Sequence, residues 1–211
     1  DLIYPINKHL QSLIGDTLSE SRWDFTYLGM QVLIEGVALA AFGVIRDYAQ
    51  NPLAASVNAY VMQDEARHVA FGRLALRDYY PQLTQKERDE REEFAVEGCY
   101  LLRDRFLGED VWETLGLPVE ECKQFVERSE MMKVYRSGLF SRIVPAMKEI
   151  GLWGPRIQKA YADMGIIGFA DTDVEALAAH DEAVAIDFDR RREVERVAAL
   201  GADADVLLVS D

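Results

Sequence analysis

The sequence predicts an all-α protein whose long helices pack as an antiparallel bundle, and three observations predict it. Only six prolines interrupt 211 residues, and β-branched runs are few. Helix-opening signals recur along the chain, each followed by a stretch without proline. The connections between the first three long helices are short, and short loops between long helices make antiparallel neighbours. The apolar run Val206 to Val209 is no counter-example, because one isolated strand has nothing to pair with.

Each element follows from its punctuation. Ser21 with Asp24 reads as a capping box opening a helix from about Arg22 to about Tyr48. Asn51-Pro52 supplies an N-cap and a first-turn proline for the next helix, which continues to about Tyr80 and stops at Pro81. Thr84 with Glu87 is a second capping box, and its helix runs to Gly108. A short helical turn fits between Glu109 and Gly116. Pro118 opens a long segment disturbed near Ser137-Gly138 and again at Pro145. Pro155 opens a short helix, and Thr172 with Glu175 opens the last, expected to fade at Gly201. The division expected is a bundle over residues 1–170 and an acidic helix and tail over 171–211.

Composition excludes several classes. Acidic residues number 37 and basic residues 23, a net charge of −14. A surface this acidic has no general attraction for nucleic acid or anionic lipid. The uncharged apolar run Val37 to Ile45 is nine residues long, short of the roughly 20 a membrane span needs, so no span is expected. Cys99 and Cys122 are too few for a disulfide framework or a four-thiolate zinc site. They suit a reducing cytoplasm and read as core residues. No secretory signal is legible, and a cytoplasmic location is the expectation. The segment Asp171 to Asp189 holds seven acids and no Lys or Arg, which reads as a solvated helix face.

Chemistry concentrates at Glu35, Asp64, Glu65 and His68. Glu65 and His68 are three residues apart on one helix face, so a carboxylate and an imidazole can reach one ion. Glu35 lies on the preceding helix. From Glu35 to the turn at Asn51 is ~24 Å, and from the turn back to Glu65 ~21 Å, at 1.5 Å per residue. In an antiparallel hairpin the two carboxylates therefore stand at nearly one level. Val32, Ala38, Leu39 and Phe42 surround Glu35, and Val61, Val69, Phe71 and Gly72 surround Glu65 and His68. A carboxylate in such company must be paired, protonated or bound to metal. Gly29, Gly36 and Gly43 form a small-residue stripe that admits a neighbouring helix or a ligand. Glu97, between Phe94 and Leu101, is a further carboxylate at a similar height: a substitute ligand, a partner for Arg67, or a glutamate at the surface edge. Arg67 faces away from the Glu65–His68 pair.

The stretch Leu33-Ile34-Glu35-Gly36 followed by Asp64-Glu65-Ala66-Arg67-His68 resembles the ferritin-like di-iron carboxylate superfamily. That superfamily includes the ribonucleotide reductase small subunit, acyl-carrier desaturases and the p-aminobenzoate N-oxygenase. The motif match covers roughly Ser21 to Gly72. The resemblance implies a ferritin-like antiparallel bundle with additional C-terminal helices, and it implies that Glu35, Glu65 and His68 are metal ligands. Asp64 then takes the place of the acid that orients a ligand histidine of the opposite half-site. The implied cofactor is iron, two ions in the complete site, and manganese suits the same donors. The implied activity is O₂ activation by a di-iron or mixed iron–manganese oxidoreductase, with a small-molecule substrate and an electron donor as partners. A non-catalytic ferritin-like scaffold and a ferroxidase-type metal handler are the alternatives.

The chain departs from that pattern in one respect. Its histidines are His9, His68 and His180, and neither His9 nor His180 has a glutamate three residues before it. Only the second half-site is present. The first residue being Asp1 rather than Met, roughly a hundred further residues upstream, carrying the other half, are expected. A homodimer in which each copy contributes a half-site around a two-fold axis, and a mononuclear or vestigial site, are the other accounts.

Overall fold

The computed structural model describes residues 5–208, with side chains described as far as residue 193. All regular structure among these residues is helical. The helices are α1 (Lys8–Ser19), α2 (Trp23–Tyr48), α3 (Pro52–Tyr79), α4 (Gln85–Asp104), α5 (Glu109–Thr114), α6 (Val119–Arg128), α7 (Glu130–Gly138), α8 (Ile143–Glu149), α9 (Pro155–Asp163) and α10 (Val174–Leu208). Short 3₁₀ turns follow α3 at Tyr80–Gln82 and α4 at Arg105–Leu107, and one precedes α10 at Ile167–Asp171.

Local chemistry explains most boundaries. The Asn51 carboxamide oxygen accepts the Leu53 N–H at 2.8 Å, ahead of Pro52 in the first turn of α3. Thr84 and Glu87 form the complete capping box of α4. Gly108 adopts φ 72°, the left-handed conformation glycine takes without strain, and so separates α4 from α5.

Three expectations are corrected. Ser21 caps nothing at the start of α2; Asp24 is instead buried and receives two hydrogen bonds from Arg91, at 2.9 and 3.2 Å. Pro145 lies in the first turn of α8, where a proline removes no helical hydrogen bond, so it helps open a helix rather than disturbing one. The break that was not foreseen is Ser129, whose hydroxyl accepts the Met132 N–H and starts α7. The last helix passes through Gly201 and continues to Leu208. Of the run Val206 to Val209, Val209 lies outside the described residues.

α2 is continuous but not uniform. Tyr27–Ile34 is π-helical, and the Glu35 N–H bonds the Met30 carbonyl five residues back. By length and composition α2 is the one described helix able to cross a membrane, so the nine-residue run understated its apolar extent. Its residues Leu28, Val32, Leu33, Val37 and Leu39 are nevertheless buried against the protein itself.

The chain divides into two compact units. One comprises Asp1–Ala41 with Glu65–Val174, the other Phe42–Asp64 with Glu175–Asp211. In the first, α4 packs against α1, the π segment of α2, and α9. Gly98 makes this possible: an added Cβ would stand 2.8 Å from Leu33 Cδ1 and 3.2 Å from Leu13 Cδ1. The buried Asp24–Arg91 pair ties α2 to α4, and the Glu92 carboxylate accepts the Gly154 N–H ahead of α9. Cys99 is buried beside the Tyr161 hydroxyl, 3.7 Å away. In the second unit, buried Arg46 donates to Asp181 at 3.0 Å, and the Tyr60 hydroxyl donates to Asp189 at 2.7 Å. The acidic start of α10 is therefore partly neutralised by specific partners rather than wholly solvated.

Candidate metal centre

The residues of interest lie on α2 and α3, within the first unit. On α2, Trp23, Tyr27, Gln31 and Glu35 follow one another at four-residue steps. Each meets a group on α3 or at its end. Trp23 packs on Tyr79 with ring centroids 4.9 Å apart, and Tyr27 on Phe71 at 5.6 Å. Gln31 abuts Gly72, where an added Cβ would stand 2.6 Å from Oε1. Glu35 Oε1 lies 4.0 Å from His68 Nδ1. Gln31 and Glu35 are four residues apart, as are Gly72 and His68, so the helices run antiparallel in register here, as the hairpin arithmetic required.

One donor atom from each of Glu35, Glu65 and His68 falls within 4.8 Å of the others. Glu65 Oε2 is 3.7 Å from His68 Nδ1. Bonds of ~2.1 Å to a first-row ion put adjacent donors ~3 Å apart and opposite donors ~4.2 Å apart. The 3.7 and 4.0 Å separations lie in that interval. Among the described residues no other group of His, Cys, Asp and Glu donors converges in this way.

The electrostatics also favour a cation. Glu35 Oε2 and Glu65 Oε2 are buried and have no hydrogen-bond partner. Buried acceptors without donors are costly, and charged ones more so. Burial, then the neighbouring Glu65 charge, raise the Glu35 carboxyl above the usual glutamate range, while His68 opposes them. His68 itself is 59% exposed, so the imidazole forms the solvent side of the site. The donor set, two hard anionic oxygens and one imidazole, suits iron or manganese.

The other residues singled out fall elsewhere. Asp64 is exposed on the turn beside Glu65, with a polar interaction of its own, and does not join the three donors. Arg67 is likewise exposed and engaged. Glu97 is exposed and lines a separate cavity of about 380 Å³ with His9, Asp104 and Arg156. None of Glu35, Glu65 or His68 lines that cavity. His180 is exposed on α10. The glycine stripe serves packing: added Cβ atoms would meet Thr17 Oγ1 at 2.3 Å from Gly29, Ile143 Cγ1 at 3.0 Å from Gly36, and Met62 Cε at 3.5 Å from Gly43.

Sequence reasoning missed Gln31, whose Oε1 is also buried without a partner. The available signal was a lone polar residue in an apolar run, four residues before Glu35. Comparison with family models, with curated proteins and with solved structures finds no match.

Proposed function

We propose that Glu35, Glu65 and His68 bind iron or manganese, and that the protein is a di-iron or iron–manganese oxidoreductase of the ferritin-like type. The observation that carries the reading is the convergence of three donors in which two buried carboxylate oxygens have nothing to receive. When bound, the metal pair supplies reduction of O₂ and oxidation of an organic substrate. Glu35 and Glu65 supply negative charge and, as carboxylates, offer both terminal and bridging modes of binding. His68 presents Nδ1 to the ion while its exposed ring leaves the mouth open. The π segment ends at Ile34, immediately before Glu35, and such segments concentrate at functional sites.

Three donors do not fill two coordination spheres. The matching glutamate and Glu-x-x-His belong, on this reading, to a facing helix pair, either in an additional segment of the chain or in a second copy. On this reading Asp64, exposed beside Glu65, would orient a histidine of that pair. Metal analysis and titration with ferrous iron under anaerobic conditions test the proposal. Glu65→Ala and His68→Ala should each lower bound iron far more than Glu97→Ala. Equal iron content in all three variants would sink the assignment, and a protein that takes up no metal would support a helical scaffold instead.

A further inference from the structure

We infer that Gln31 is a positioning residue of this site: its carboxamide oxygen accepts a hydrogen bond from water bound to the ion. The inference rests on the metal reading above. Three observations carry it. Gln31 stands one turn before Glu35 on α2, on the stripe that meets α3. Its side chain abuts Gly72, one turn beyond His68, so the Gln31–Gly72 contact adjoins the Glu35–His68 contact along the same seam. Its Oε1 is buried without a donor, as are Oε2 of Glu35 and Oε2 of Glu65.

The third observation is the most specific. Three neighbouring buried oxygens, Gln31 Oε1, Glu35 Oε2 and Glu65 Oε2, are acceptors, and none has a donor. An ion alone answers the two carboxylates, whereas a neutral carboxamide oxygen is best answered by an O–H. A cation carrying water provides both, because coordination polarises the water and strengthens its hydrogen bond to an acceptor. Gly72 is what permits the arrangement. Any side chain there would occupy the place of the Gln31 amide, with a Cβ 2.6 Å from Oε1 and 2.7 Å from the Gln31 Cβ.

A purely structural glutamine and a positioning glutamine predict opposite patterns. An acceptor left unsatisfied in the metal-free protein weakens it, so Gln31→Leu should raise the melting temperature of the metal-stripped protein. The same change should lower Mn²⁺ affinity about 10-fold or more, the usual effect of losing a partner beyond the ligands. Gln31→Glu keeps an acceptor oxygen and should restore affinity. Gly72→Ala, which displaces the Gln31 amide without altering it, should reproduce the loss. Mn²⁺ binding is read directly from the signal of the free ion by electron paramagnetic resonance.

Wild-type affinity in both Gln31→Leu and Gly72→Ala would overturn the role of Gln31 while leaving the metal site intact. Failure of the wild type to bind Mn²⁺ or Fe²⁺ would overturn the metal reading and this inference together. Should Gln31→Leu fail to fold, Gln31→Asn withdraws the same oxygen while remaining polar. The same loss of affinity is then expected, and its absence would refute the role.

Discussion

Replacing Glu35 by glutamine should stabilise the metal-free protein and abolish most of its response to metal. Glu35 and Glu65 present oxygens within 4.8 Å of one another, so two like charges meet there. At 4.8 Å, the widest separation, the repulsion is about 3.5 kcal/mol for an effective dielectric constant near 20, and about 1 kcal/mol in bulk water. The exposed His68 opens the site to solvent, which places the figure toward the lower end. The amide also supplies a donor for the unpartnered Glu65 oxygen. Glu35→Gln should therefore gain ~1 kcal/mol in urea denaturation after chelation, a rise of roughly 2–4 °C in melting temperature for a protein of this size. The pH dependence has a definite sign. Burial and Glu65 raise the Glu35 pKa in the folded state, so the wild type loses stability as pH rises from the ordinary glutamate range through the raised value. Below that range Glu35 is protonated in both folded and unfolded chains, and the advantage of the variant should shrink. With metal at a hundred times its dissociation constant the wild type should gain ~2.7 kcal/mol, and the variant much less. A metal-free variant less stable than wild type at neutral pH, or an equal gain from metal in both proteins, would refute this account.

Other consequences concern the scaffold. Asp24→Ala removes both Asp24 hydrogen bonds of the buried Arg91 guanidinium, leaving it the Glu87 carbonyl at 3.1 Å and the Glu90 carboxylate at 3.5 Å, and should cost up to about 3–5 kcal/mol, read as a lowered urea midpoint. Gly29→Ala drives a Cβ against Thr17 Oγ1 and should cost ~1–3 kcal/mol; in a Thr17→Ala background the cost should fall, and strict additivity in the double-mutant cycle would show that the contact is relieved elsewhere. Burial pushes the Cys99 thiol up to about 12, so at mildly alkaline pH it carries almost no thiolate and should resist a disulfide reagent in the folded protein. Half-buried Cys122 should react first, and two equally fast thiols would contradict the packing of Cys99 against Tyr161.

The parts of the fold legible in the sequence are those fixed by local chemistry. Thr84 with Glu87 and Asn51 with Pro52 act within one turn of their own backbone, so their roles follow from spacing alone. Asp24 has the same local spacing from Ser21, yet its carboxylate goes to Arg91, 67 residues away. No local rule foresees that, because the competing partner is brought in by packing. Glu35, Glu65 and His68 converge as expected because helix rise converts residue counts into height and the hairpin supplies the rest. Glu97 is a glutamate at the surface edge, one of the three readings its spacing allows: height along the bundle does not set azimuth, and on α4 its side chain lines the His9 cavity.

Azimuth is also where the π segment enters. The buried positions Phe25, Gly29, Leu33 and Val37 step by four, as do Leu28, Val32 and Gly36. So do the residues that meet α3: Trp23, Tyr27, Gln31 and Glu35. In an α-helix of 3.6 residues per turn each four-residue step drifts about 40° around the axis, and three steps would carry Glu35 about 120° away from the line of Trp23. The wider turns over Tyr27–Ile34 absorb that drift. They keep Trp23 over Tyr79 and Glu35 beside His68 on a single seam. The unbroken four-residue period is thus the trace of the π-helix in the sequence. It also explains why Gln31 belongs with Glu35. Both stand on the stripe that the widened helix holds against α3, and the polar groups of the site lie where that stripe passes from aromatic rings to carboxylates.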